Sequence, residues 1–306
     1  MTTIHVVGDG VTGSRIIRLL ADRPVIVHDG RWNAVTAARP GDVALLVSGG
    51  DHVALAHGAL RRGLHVVTVG DSVEDTNDVM ALTVPDGSTL VVGAAMSPGL
   101  SGLIARHLAS QLDAVDEIHV AIHGTAGPAC AREHHRALSG ISAEWHDGAW
   151  VDHVGGSGRE LCWFPEPIGA LDCYRARLAA PDVLHRSFPE VGRISMRRSA
   201  RRRDRFTAWL PMLKPPPPEG AIGALRVEVR GADADGARQC LIAGVAELVG
   251  TTAAATAASL ATALADGRLP GGTVMAGDAG LPTTDLLRGV ERYGVRLQEF
   301  TGIPMI

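Results

Sequence analysis

The sequence is short of aromatic residues, of paired cysteines and of excess positive charge. Two Tyr, four Phe and five Trp leave little surface for stacking bases, and a net charge of −4 gives no bulk attraction to polyanions. Nucleic acid is therefore not an expected partner. The four cysteines, Cys130, Cys162, Cys173 and Cys240, contain no Cys-x-x-Cys pair. That argues against a zinc knuckle or a thioredoxin-like motif, and they read as reduced thiols of a cytoplasmic protein. No basic segment with a following apolar run precedes the first strand, so no leader is expected. Long runs of Leu, Ile and Phe are missing too. The one stretch that could pass for a membrane span, Leu241 to Ala265, is dominated by Ala, Thr and Gly and holds Glu247, so it reads as a packed helix. What remains is globular, with 46% hydrophobic and 20% charged residues over 306 positions, enough chain for two domains.

The most informative stretch is Ile4-His-Val-Val-Gly8-Asp-Gly10-Val11-Thr12-Gly13. A β-branched run leads into a Gly-x-Gly-x-x-Gly turn, and Ile16, Leu19 and Leu20 then share one helical face. Such a turn lets a pyrophosphate approach the backbone and the open N-terminus of the helix. Val25 to His28 predicts a second strand, and Asp29 stands at its end, about 20 residues beyond the first glycine, where the fingerprint places an acid for the adenosine ribose. Gly30 follows it, and Arg31 could lie along the adenine or hold a 2′-phosphate, or simply be an exposed loop charge. Asp29 argues for NAD and Arg31 for NADP.

Strands are predicted at Val43–Val47, His65–Val69 and Thr89–Val92, with helices from Asp51 to Arg62 and near Glu74 to Leu82. Loops at the carboxyl ends of parallel strands bind ligands, which makes Ser48, Gly49, Gly50, Gly70 and Asp71 candidate rim residues, with plain turn chemistry as the alternative. After the fifth strand, Met96-Ser97-Pro98-Gly99 predicts a helix from Pro98 to about Leu112, capped by Ser97, with free amides aimed into the cleft. From Asp116 the pattern changes to alternating strands at Glu117–His123, Trp150–Val154, Glu160–Phe164, Asp172–Leu178, Ile194–Arg198 and Leu225–Arg230, a mostly antiparallel sheet. Pro215 to Pro218 read as a stiff extended piece within that domain. Gln239 to Ala265 reads as an Ala-rich helix, and Thr284 to Tyr293 as a final amphipathic one.

Several of these pieces together resemble the saccharopine dehydrogenase-like reductases, the NADP-binding group that includes diaminopimelate dehydrogenase. They are Gly8-Asp-Gly-Val-Thr-Gly13, Met96-Ser-Pro-Gly-Leu100, Phe164-Pro-Glu-Pro-Ile-Gly169 with Asp172-Cys-Tyr-Arg175, and Leu225-Arg-Val-Glu-Val-Arg-Gly231. The resemblance runs over nearly the whole chain. It implies an α/β fold: an N-terminal Rossmann domain over 1–115 with a doubly wound parallel sheet, and a substrate-binding and dimerisation domain over 116–269. The segment from about 270 to 306 would pack back on the first domain. It also implies hydride transfer between a nicotinamide, NADP with NAD as the alternative, and a carbon–nitrogen bond or oxo-acid of a small substrate, in a homodimer. A cofactor-binding sensor or scaffold with the same fold and no turnover is the alternative.

The densest polar constellation is Thr125 to Arg136. In its functional reading Arg132 or Arg136 holds a substrate carboxylate and His134 or His135 exchanges a proton. Its bland reading is a helix start after Gly127-Pro128 with a solvated charged face. Adjacent His134 and His135 diverge on any regular element, so no metal is expected. Arg175 and Arg177 share a strand face and are further carboxylate candidates, while Tyr174 points the other way, as a core residue or a proton donor. The basic run Arg197, Arg198, Arg201, Arg202, Arg203 and Arg205 reads as a solvated loop or subunit contact.

Overall fold

The computed structural model describes residues 1–29, 38–49, 52–70, 72–212 and 215–300. Its first half alternates strand and helix: β1 (Ile4–Val7), α1 (Val11–Leu19), β2 (Val25–His28), β3 (Val43–Leu46), α2 (His52–Leu60), β4 (His65–Thr68), α3 (Val73–Met80), β5 (Thr89–Val92) and α4 (Leu100–Ala109). Strands β1, β3 and β5 are buried at every position, as apolar runs covered by helices on both faces must be.

The chain then builds a second layer from β6 (Ala114–His123), α5 (Pro128–Arg136), β7 (Ile141–His146), β8 (Ala149–Val154), β9 (Glu160–Trp163), β10 (Ala170–Arg175), α6 (Ala180–Ser187), β11 (Arg193–Ser199), α7 (Arg202–Thr207), β12 (Ile222–Ala232) and β13 (Arg238–Leu248). It returns through α8 (Val249–Ala265), β14 (Gly272–Met275), α9 (Thr283–Arg292) and β15 (Gln298–Phe300). One sheet has the order β14-β5-β4-β3-β1-β2 and is parallel throughout. The other runs β15-β13-β12-β6-β11-β10-β9, with β7 paired to β11 and β8 to β7. In it only the β6–β11 pair is parallel among the described strands. The expected α/β fold, a Rossmann-like sheet plus a mostly antiparallel one, is what the chain adopts.

The chain ends cross between the two sheets. Strand β14 extends the parallel sheet beside β5, whereas β15 pairs with β13. Helix α8 packs on α1, α9 and the β3–β4 part of the parallel sheet, and its alanines, Ala254, Ala257 and Ala258 among them, are fully buried there. The Ala-rich helix expected from Gln239 is corrected in its first half. Residues Arg238–Leu248 form β13, in register with β12 over its whole length. Leu225, Val227 and Val229 of β12 are buried, and pairing with that strand overrides the helix propensity of Leu, Ala and Glu. One apolar core runs from β1 through α4 and α8 into the second sheet. No described helix is long and apolar enough to cross a membrane.

Candidate functional site

The glycine turn shows three different environments. Gly8 has φ +114°, and a Cβ there would lie 2.7 Å from Ser48 N. A Cβ on Gly13 would lie 2.1 Å from the Gly8 carbonyl oxygen, so this glycine is what lets α1 pack on the turn. A Cβ on Gly10 would meet nothing within 4 Å. The open side belongs to a cavity of about 1030 Å³ between the two sheets, lined at this end by Gly10, Val11 and Thr12. Helix α1 has no side-chain cap, and its first backbone bond runs from Ser14 N to the Gly10 carbonyl, which leaves the preceding amides at the cavity. An anion-accepting turn with space over its second glycine fits the pyrophosphate of a dinucleotide.

The β3–α2 loop forms the next wall through Ser48 and Gly49. It is held by His52, whose Nε2 lies 2.8 Å from the Ser48 carbonyl oxygen and whose Nδ1 lies 2.7 Å from Asp75 Oδ2. Asp75 also accepts the His52 backbone N–H at 2.9 Å. The ring packs so closely on Gly70 that a Cβ there would sit 3.2 Å from it. Sequence reasoning missed His52 and Asp75, whose contact across α2 and α3 exists only through the sheet order.

At the end of β5, Met96 and Ser97 line the cavity. The expectation of a helix starting at Pro98 with free amides is corrected. The Ser97–Pro98 peptide is cis, Gly99 is the N-cap at φ 131°, and α4 starts at Leu100. Its leading amides are taken, Leu100 N by Ala95 O and Ser101 N by Met96 O, with Gly102 N and Leu103 N on Gly99 O. Pro98 packs on Gly93 and Gly99 on Ala95, so both lie behind the wall. Asp29 follows β2 at an exposed position away from the cavity lining. Gly30, Arg31, Gly50 and Asp71 lie outside the described residues.

The second sheet contributes α5, with Gly127 as N-cap and Pro128 in its first turn. Pro128 and Ala129 of its first turn line the cavity, and beyond them the helical period turns Cys130, Glu133 and His134 to it and leaves Ala131, Arg132 and His135 off it. His134 is 2% exposed, and its Nε2 lies 3.7 Å from Cys130 Sγ. His135 instead faces the Thr207 and Leu210 carbonyls, each 3.1 Å from Nε2. Arg132 is exposed and off the cavity. Tyr174 is buried in the core with the Arg205 guanidinium 4.1 Å from its ring centre, and Arg175 donates from Nε to Glu144 at 2.9 Å. Arg177 pairs with Glu74 at 2.7 Å, and Asn77 donates to Asp182 at 3.3 Å, two links from α3 to the second sheet's layer. Of the five candidate catalytic residues the cavity therefore takes in His134. The arginine grip on a carboxylate has no counterpart among the described lining residues, none of which is Arg or Lys.

Two further readings change. Arg197, expected in a solvated run, is 7% exposed and paired with Glu144. The register of β11 points it to the inside of that ion network. The proline stretch reaches the first domain: Pro218 lines the cavity and Glu219 meets Arg15 at 3.2 Å. Among the described residues no cluster of three or more His, Cys, Asp and Glu could hold a metal.

Thiol accessibility differs sharply. Cys240 is exposed and Cys130 half-buried, whereas Cys162 and Cys173 are buried side by side in the second sheet, where contact with Cys162 and burial push the Cys173 thiol up. Iodoacetamide on the native protein is expected to label Cys240 and Cys130 and to spare the other two until denaturant is added, as read by peptide mass spectrometry.

No family model matches the sequence, and no curated protein matches it. Solved structures do. The chain is similar to apo saccharopine dehydrogenase (L-Glu forming) from Saccharomyces cerevisiae, with a TM-score of 0.67 at 14% identity over 98% of this chain and 99% of that one. It is also similar to an amine dehydrogenase from Mycobacterium smegmatis, with a TM-score of 0.48 at 12% identity over 90% and 95% of the two chains. A mutant meso-dapdh from Clostridium tetani gives 0.47 at 13% identity over 94% and 96%. The first similarity meets, at the level of the fold, the resemblance read from the sequence.

Proposed function

We propose that the chain is an NAD(P)-dependent oxidoreductase acting on a carbon–nitrogen bond of the amine or imine type, or on the corresponding oxo compound. One observation carries this: the glycine turn with open space over Gly10 and the buried imidazole of His134 face the same cavity. Gly10, Val11 and Thr12 would hold the pyrophosphate, and Ser48, Gly49, Gly70, Met96 and Ser97 would flank the nicotinamide. Asp29, with Gly30 and Arg31, would take the adenosine end. When bound, the nicotinamide supplies the hydride acceptor or donor at its C4. His134, buried at the cavity with Nε2 3.7 Å from Cys130 Sγ, exchanges a proton with the substrate nitrogen or oxygen. His52 keeps the Ser48–Gly49 wall in place through its two hydrogen bonds. Helix α5 and Pro218 supply the second sheet's side of the cavity wall.

Titration of the intrinsic tryptophan fluorescence with NADPH and NADH tests the reading. Saturable binding of one or both is expected, and the ratio of the two affinities assigns the cofactor. Binding of neither sinks the proposal. His134→Gln is expected to lower kcat about 100-fold or more while leaving NADPH affinity within about twofold. An unchanged kcat would remove His134 from the proton path.

A further inference from the structure

The part of the cavity beyond the glycine turn is lined by acids. Its charged groups are Glu74, Asp75 and Asp78 of α3 and Glu133 of α5, with His52 and His134 the only potential cations among the described lining residues. Two of the four carboxylates are taken: Asp75 by His52 and Glu74 by Arg177, both at 2.7 Å. Asp78 is exposed and has no ion-pair partner among the described residues. Glu133 meets Arg136 at 3.6 Å in an exposed i,i+3 contact, which neutralises little.

A second observation is independent of the acids. Ser97 lines the same cavity and is 6% exposed, and its Oγ is buried without a hydrogen-bond partner among the described residues. A buried hydroxyl in that state is a hydrogen-bonding group available to whatever the cavity receives. Its oxygen can accept from an N–H group. A carboxylate entering here would meet Asp78, which has no ion-pair partner among the described residues, and the weakly paired Glu133, with no guanidinium among the described lining residues, whereas a cation would gain from both acids in a cleft that focuses the field.

We propose that the substrate group received by this cavity is an amine cation lacking a carboxylate, with Ser97 Oγ accepting from its N–H and Asp78 and Glu133 supplying the counter-charge. The substrate class is thus a simple amine, or the iminium formed from it, and not an α-amino acid. The inference rests on the oxidoreductase reading for the chemistry, while the binding itself can be tested without turnover.

Calorimetric titration of the full chain, with and without saturating NADPH, would compare two probes of equal length, 1,5-diaminopentane and glutarate. The diamine is expected to bind about tenfold tighter than glutarate or better. Asp78→Asn and Glu133→Gln are each expected to weaken the diamine about threefold with an unchanged melting temperature, and added salt to weaken it further. Ser97→Ala is expected to weaken it by about three- to tenfold. Glutarate binding as tightly as the diamine, diamine affinity indifferent to both carboxylate variants, or no diamine binding would each overturn the proposal. NADPH fluorescence titration on the same samples separates the two readings. NADPH binding without diamine binding removes the amine site alone, and diamine binding without NADPH binding removes the oxidoreductase reading alone.

Discussion

Gly13→Ala is expected to lower the melting temperature by about 6–12 °C, whereas Gly10→Ala leaves it nearly unchanged and weakens NADPH binding by on the order of 10- to 100-fold. The added methyl at position 13 would sit 2.1 Å from the Gly8 carbonyl oxygen and 2.9 Å from its carbon. Both are backbone atoms, so no rotamer change relieves the clash, and α1 must shift away from the turn. Overpacking of this kind costs about 3 kcal/mol, and about 2–4 °C accompanies each kcal/mol in a chain of this size class. At Gly10 the backbone has φ −61°, which alanine adopts freely, and the methyl meets nothing within 4 Å. Its loss as N-cap costs less than about 1 kcal/mol. The methyl instead fills the space through which a pyrophosphate would approach. Thermal melting and fluorescence titration of the two variants separate a packing glycine from a ligand-facing one. If Gly10→Ala bound NADPH as the parent does, the dinucleotide would not lie on this turn.

The contrast also shows what was legible in the sequence. A strand, a glycine turn and a helix are local features, and β1, α1 and the Gly127–Pro128 start of α5 fall where their residues predict. Helical period separates Cys130, Glu133 and His134 from Arg132 and His135, but it does not say which face meets the cavity. Strand alternation likewise puts Tyr174 opposite Arg175 without revealing that one faces the core and the other Glu144. His52 and Asp75 meet because β3 and β4 are neighbours in the sheet, and neither carries a motif that announces it. The Ala-rich stretch misleads for the same reason: small residues suit the helix α8, and in β13 long-range pairing with β12 decides the outcome. Local chemistry is readable from residue order, and convergence of distant residues is not.

Glu144 is the second position where a large effect is expected: Glu144→Gln should cost about 3 kcal/mol at neutral pH. The carboxylate is 4% exposed on β7 and accepts from Arg175 Nε at 2.9 Å and from Arg197, itself 7% exposed. His153 Nε2 stands 3.6 Å from its other oxygen. Burial pushes the Glu144 carboxyl up, but Arg197 and Arg175 outweigh it and hold it below the usual value. Glutamine keeps the shape and removes the charge, which leaves two guanidiniums in a half-dry network with Glu160, 3.3 Å from Arg197, as their remaining acid among the described residues. The sign of the pH effect follows from the direction of the shift. A carboxyl with a depressed folded pKa contributes stability that is fully present above its unfolded pKa and is lost as pH falls through the folded value. Glu228, held down by Arg226 and Arg230 against its own burial, adds to the same acid limb. Urea unfolding between about pH 7 and pH 3 should therefore show the parent losing stability steeply below about pH 5. The glutamine variant should start lower and fall less steeply, so that the two curves converge in acid. Parallel curves would show that Glu144 carries no charge-dependent stability, and the ion network of β7, β10 and β11 would then be held by packing alone.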